Sequence, residues 1–349
     1  MKNNLFKVLV SIVVLALTLS ACATPTTEAP KPTEAPKPTA VPPTVAPTVA
    51  PTADPLGTSA DKPIVMTFVP SGDTAKIAKA GQDIADYLKK VNGLNYKVEV
   101  GTSEAASIEA MGGNKAQVGF LNTFAIVLAK TKYDIEVALV NQRVYVAIPI
   151  DPDKDLGGKI TPYYKGQFLT QTTSGIKSYA DLKGKTFCFT SASSTSGNII
   201  PRIILKANGI DPDKDLKATF AGGHDKAAIA VYNGDCVAGV TFVDTLTDVS
   251  LKLYEKYPDI SKKVTAFAIS DRIPNDGVQY TKGLSQKIKD ATTDGLLKMA
   301  ADPEGVKVLK SLYNIDGFEK AGYDKYYKPF EDVLAKAGVK AEDYVTKPK

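Results

Sequence analysis

The chain has 349 residues, 44% of them hydrophobic and 23% charged, enough to build one large domain or two ordinary ones and too apolar for a disordered chain. Its formal net charge of +5 comes from 43 basic against 38 acidic residues, and the two signs are interleaved, which argues against a nucleic-acid partner. Apart from Cys22, a single histidine and two cysteines that could pair with each other cannot assemble a usual zinc site; carboxylate-held Mg or Ca stays open as an alternative, and no metal or cofactor is expected.

The first residues, Met1-Lys2-Asn3-Asn4 with Lys7, lead into the apolar run Val8 to Leu19 and then Leu19-Ser20-Ala21-Cys22. This reads as a secretory signal over 1–21, shorter than a membrane span and ending in small residues that suit cleavage. The L-S-A-C sequence resembles the bacterial lipobox, whose cysteine is lipid-modified, so Cys22 is the expected lipidation site and the chain is expected to be membrane-anchored outside the cytoplasm. From 22 to 60 the chain is Pro, Thr, Ala and Lys, with Thr27-Glu28-Ala29-Pro30-Lys31-Pro32 nearly repeated at 33–38. Such a stretch cannot bury a core and is expected to act as an extended linker.

Ile64 to Val69 has the character of a buried strand. A turn at Pro70-Ser71-Gly72-Asp73 follows, then a helix over Thr74–Asn92 with Ile77, Ala80, Ile84, Tyr87 and Leu88 on one face. Alternation continues with strand Tyr96–Val100, helix Ser103–Met111, strand Gln117–Leu121, helix Thr123–Lys130 and strand Val137–Ile148. After a loop at 151–159 a second series begins: strand Lys185–Thr190, helix Asn198–Ala207, strand Lys217–Phe220, helix Lys226–Tyr232, strand Cys236–Phe242, helix Thr245–Tyr257 and strand Val264–Ile269. The remainder reads as helices near 285–301, 303–312 and 323–337. Strand-helix alternation predicts mainly parallel, doubly wound α/β sheets in two lobes, 61–165 plus 268–349 and 166–267, with crossovers near 160–170 and 268–278. Ligands of such sheets sit at the carboxyl ends of strands, which makes the turns after Val69, Leu121, Thr190, Phe220 and Phe242 the expected cleft lining.

In the turn after Thr190, Ser194, Thr195 and Ser196 stand with Gly197 at a helix entrance, where free backbone N–H groups and the helix dipole favour anions. Hydroxyls there also serve as ordinary caps. His224, the only histidine, lies in the glycine-rich Ala221-Gly222-Gly223-His224-Asp225 on the same expected edge. Asp244, after the next strand, reads equally as an N-cap for the expected helix at 245. Cys188 and Cys236 fall in strand-like runs and outside the cytoplasm form either a disulfide between neighbouring strands or two separately buried thiols.

The succession S-S-T-S-G (193–197), A-G-G-H-D (221–225), V-D-T (243–245) and I-P-N-D (273–276), with Gly175-Ile176-Lys177-Ser178 through Gly184-Lys185 before it, closely resembles the phosphonate-binding subunits of ABC importers, the PhnD type. The resemblance implies a two-lobed periplasmic-binding-protein-like (type II) fold with a ligand cleft between the lobes. It implies no catalysis, a small phosphorus oxyanion (phosphonate, phosphite or phosphate) as ligand, and ABC permease subunits as partners. By the same resemblance Ser194, Thr195 and Ser196 hold the oxyanion, His224 adds a donor, and Asp276 accepts a hydrogen bond from a protonated ligand oxygen, which disfavours sulfate. Asp244 matches a position that is acidic in members recognising a ligand amino group. Ser71, Glu104 (where the family often has an aromatic) and Tyr164 complete the expected ligand-binding set. Two other readings remain at this point: a receptor of the same fold for another small anionic or amino-containing solute, and an extracytoplasmic serine hydrolase. The chain has no G-x-S-x-G, and its S-x-x-K at Ser174–Lys177 lacks S-D-N and K-T-G companions. A Walker A sequence is also missing.

Overall fold

The structure is a computed structural model describing residues 56–340. The expected signal segment, Cys22 and all but the end of the linker lie outside the described residues. In the first lobe β1 (Ile64–Phe68), α1 (Thr74–Asn92), β2 (Tyr96–Val100), α2 (Glu104–Gly112), β3 (Val118–Leu121), α3 (Thr123–Tyr133) and β4 (Glu136–Val144) follow one another. Short strands β5 (Ile160–Thr161) and β6 (Tyr163–Tyr164) lead out of it. The second lobe holds β7 (Gly166–Gln171), β8 (Thr186–Phe189), α4 (Ile200–Ala207), β9 (Lys217–Phe220), α5 (His224–Asn233), β10 (Ala238–Phe242), α6 (Leu253–Lys256), α7 (Ile260–Lys263) and β11 (Val264–Ile269). Then β12 (Ile273–Pro274), β13 (Gly277–Tyr280), α8 (Gln286–Ala301), α9 (Pro303–Tyr313), β14 (Gly317–Lys320) and α10 (Tyr323–Lys336) return to the first lobe.

Strand order is β14-β4-β13-β3-β1-β2 in one sheet, with β5 on β4, and β11-β7-β10-β8-β9 in the other. Each sheet therefore has one strand, β13 or β7, inserted antiparallel between parallel neighbours. The sheets are mixed rather than mainly parallel. The inserted strands follow the two crossovers, which pair as β6 with β12 (Tyr164 opposite Ile273, Tyr163 opposite Pro274). β7 does not stand out by hydropathy because Gln167 and Thr170 are buried in it. Gln167 donates to Thr241 Oγ1 at 3.2 Å and to the Phe242 carbonyl at 3.0 Å, and Thr170 donates to the Val237 carbonyl at 2.8 Å, so burial leaves neither unsatisfied.

The helix expected over 245–257 does not form. Asp248 Oδ1 accepts from the backbone N–H groups of Ser250 (2.9 Å) and Leu251 (3.0 Å), an Asx-type turn that competes with helix. Lys252 then takes a left-handed φ of 53°, leaving only the four-residue α6. β4 also stops at Val144, short of Ile148. Where the cap chemistry is local the helix is as expected: Asp73 Oδ1 accepts from Ala75 and Lys76 N–H at 2.9 and 3.1 Å, opening α1 at Thr74. Cores fill both faces of each sheet, with Phe68 stacked on Phe120 at 4.5 Å in the first lobe and Phe168, Phe187 and Phe189 in the second. Cys188 on β8 and Cys236 just before β10 are disulfide-bonded, Cα–Cα 5.9 Å.

Candidate functional site

Between β8 and α4 the chain curls through a single π-type turn, Thr195–Ile199. Ser194 caps it, its Oγ accepting from the Gly197 N–H at 3.2 Å. A Cβ on Gly197 would come within 1.9 Å of Thr190 Oγ1, so only glycine lets the serine run pack this closely against the strand end. Thr195 Oγ1 accepts from the Phe124 N–H of α3 at 2.9 Å and donates to Asn122 Oδ1 at 3.3 Å. Asn122 caps α3 through Ala125 N–H at 2.9 Å, so helix starts from the two lobes meet at Thr195.

His224 opens α5 behind Gly222, whose φ of +86° suits glycine. Its Nδ1 accepts from the Phe242 N–H at 3.2 Å, and its Nε2 lies 3.3 Å from Ser194 Oγ. With Nδ1 committed as acceptor, the ring proton belongs on Nε2. Burial, with the Arg143 charge adding to it against Asp248, pushes the imidazole down to about 3, so His224 is a neutral donor. Asp276 is half-buried at the end of the second crossover. Desolvation in the cleft, opposed by Arg143, pushes its carboxyl up to about 7. Burial likewise raises the Tyr164 phenol, whose hydroxyl interacts with Ser196, Thr123 and Thr195.

A cavity of about 330 Å³ lies between the lobes, lined by Ser71, Tyr164, Ser196, His224 and Asp276 together with Asn141 and Arg143. The other expected residues stand behind it. Ser194 supports His224, and Thr195 ties the lobes together. Glu104 Oε1 accepts from Ser191 Oγ at 2.6 Å and Oε2 from Ser193 Oγ at 3.4 Å, joining α2 to the opposite lobe. Asp244 faces neither the cavity nor a helix start: Arg143 Nη2 donates to its Oδ2 at 2.8 Å and Asn314 Nδ2 at 3.3 Å. The carboxylate expected to read a ligand amine is thus occupied by a cation of the chain itself.

The family model for the ABC transporter phosphonate periplasmic substrate-binding protein matches residues 66–327. The chain belongs to this family. The Mycolicibacterium smegmatis phosphate-import protein PhnD is 28% identical over 208 residues, 56% of this chain and 61% of that protein. The Escherichia coli phosphonates-binding periplasmic protein is 28% identical over 156 residues, 44% and 45% of the two chains. The chain thus aligns with less than two thirds of each of these relatives. Among solved structures, a binding protein component of an ABC phosphonate transporter from Pseudomonas aeruginosa superposes with TM-score 0.67 at 21% identity, covering 79% of this chain and 86% of that one. PhnD1 of Prochlorococcus marinus in complex with methylphosphonate does so with TM-score 0.65 at 19% identity, covering 79% and 98%. These likenesses establish the type II periplasmic-binding-protein fold, and membership of a family of periplasmic substrate-binding proteins implies an extracytoplasmic location.

For a phosphonate-binding family protein, Arg143 and Asn141 are the wall residues that the sequence reading passed over. Both sit near the carboxyl end of β4, two positions apart and hence on one face of the strand. Two polar residues closing an apolar strand on a single face were the available signal. Asn141 Oδ1 and Arg143 Nε have no hydrogen-bond partner among the described residues.

Proposed function

We propose that the closed cleft binds a phosphorus oxyanion, a phosphonate or phosphate, and delivers it to an ABC permease. The observation that carries this reading is convergence: the Ser196 hydroxyl at a helix entrance, neutral His224, Tyr164 and a carboxyl poised near neutrality, Asp276, line one cavity. Donors aimed in advance into a closed cleft hold an anion without reorganising, and Asp276 accepts from a P–OH that sulfate lacks. Ser194 and Thr195 hold this constellation in place, and Ser71 closes it from the first lobe. The mature chain begins at Cys22, is lipid-anchored there, and carries lobes 61–165 plus 268–349 and 166–267 on the 22–60 linker.

Isothermal titration of the soluble chain with methylphosphonate, phosphite, phosphate and sulfate tests the reading. Binding of at least one phosphorus ligand without sulfate is expected at pH 8, where the Asp276 carboxyl is ionised, and Ser196→Ala or His224→Ala each weakens it roughly 10- to 150-fold, the ~1.5–3 kcal/mol of a hydrogen bond to a charged group. Absence of binding by every phosphorus oxyanion overturns it. Cys22→Ala is expected to move the protein from membranes to the soluble fraction.

A further inference from the structure

The cavity exceeds what a small oxyanion fills. It measures about 330 Å³, whereas a five-heavy-atom phosphonate takes roughly 150 Å³ even at ~30 Å³ per heavy atom, the share of a water in the liquid. Besides the polar set, Ile77, Ile229, Phe242, Leu251, Leu253 and Leu312 line it.

Most carboxylates near this wall already have a counterpart. Arg143 Nη2 stands 2.8 Å from Asp244 Oδ2 and 3.1 Å from Asp248 Oδ2, and Asn314 Nδ2 donates to both. Asp225 lies in the first turn of α5, where the helix dipole and the Lys226 N–H meet it, although its Oδ1 is buried beside Gly223 without a hydrogen-bond partner among the described residues. Asp276 belongs to the oxyanion end. The exposed Asp73 and Glu255 share the lining with the exposed Lys76, Lys252 and Lys256. A ligand ammonium therefore finds its expected carboxylate, Asp244, already paired, and meets in the wall the Arg143 guanidinium together with Asp248, a carboxylate that this guanidinium already engages.

Resting on the oxyanion reading above, we propose that this cleft takes phosphonates whose organic part is an uncharged, apolar group of several carbons, and that Arg143 disfavours aminoalkylphosphonates. Hydrophobic burial then sets affinity along a homologous series.

Calorimetric titration with methyl-, ethyl-, n-butyl- and 2-aminoethylphosphonate tests this. Affinity is expected to rise about fourfold per methylene, on the order of fiftyfold from methyl to butyl, and 2-aminoethylphosphonate is expected to bind more weakly than ethylphosphonate. Arg143→Met, which leaves Asp244 and Asp248 without their cation, is expected to raise the aminoethyl-to-ethyl affinity ratio at least tenfold. Ile229→Ala is expected to compress the butyl-to-methyl ratio. Ratios stay informative even where a variant weakens all binding. A flat or falling alkyl series, or tighter binding of the amine by the unmodified protein, overturns the inference while the oxyanion reading stands. An amine preference erased by Asp225→Asn assigns the ammonium to Asp225. No binding by any of the four ligands removes the oxyanion reading, and this inference with it.

Discussion

At the residue scale Asp276 changes role across neutrality. Its carboxyl is held at about 7, so in the proposed oxyanion role it would donate to any oxyanion oxygen below that pH and above it would only accept, needing a P–OH opposite it. The phosphate-to-sulfate affinity ratio is therefore expected to grow between pH 6 and 8, and Asp276→Asn to flatten the profile in competition titrations; a ratio that ignores pH removes this role. Stability responds in two opposing senses. Asp276 has a folded value of about 7 against ~3.9 unfolded, so its contribution is complete below pH ~4 and declines as pH rises to 7. His224 has a folded value of about 3 against ~6.5 unfolded, so its contribution is complete above ~6.5 and declines as pH falls to 3. Melting of single variants separates them: the advantage of Asp276→Asn over the unmodified chain is expected to grow with rising pH, and that of His224→Gln with falling pH.

At the scale of elements the disulfide fastens two parallel neighbours, β8 and the start of β10, across 48 residues. Closing a loop of that length restricts the unfolded chain by about 4 kcal/mol in the entropic model. Urea unfolding of the Cys188→Ala, Cys236→Ala double variant is expected to show a loss of that order in the second lobe, and an unchanged midpoint contradicts it. The same elements show what local sequence discloses. α1 is legible because Asp73 caps it and its apolar face repeats at helical spacing. The segment after Asp244 is not, because one carboxylate, Asp248, gathers backbone N–H groups that a helix would use differently. β7 and β13 escape because their pairing is decided by strands far away in the chain. Ser196, His224 and Asp276, which motif and strand-end position single out, line the cavity. The pairing of Asp244 is not legible locally, because its partner, Arg143, comes from the other lobe and 101 residues away.

At the scale of the whole molecule, the lobes are held together by contacts behind the cavity and in its wall. Glu104 receives Ser191 at 2.6 Å, Phe124 N–H reaches Thr195, and Arg143 bridges to Asp244 and Asp248. Beside the crossovers, buried Lys165 pairs with Asp151 at 2.9 Å and Asp153 at 2.7 Å. Removing one latch lowers the population of the closed form and scales every apparent affinity by the same factor. Glu104→Ala is expected to enlarge the unliganded protein in small-angle scattering and to weaken all bound phosphonates equally; a selective loss places Glu104 against the ligand instead. The inserted strands also govern the order in which the chain can assemble. Every strand of the second sheet lies between residues 166 and 269, whereas the first sheet lacks the central β13 until residues 277–280 have emerged. A chain delivered amino terminus first can complete its later-made half before its earlier-made one. Pulse-labelled amides of Phe187 and Val240 should then gain protection ahead of those of Gly119 and Leu139, and the first sheet stays an open edge, exposed to mispairing, for the longest part of export.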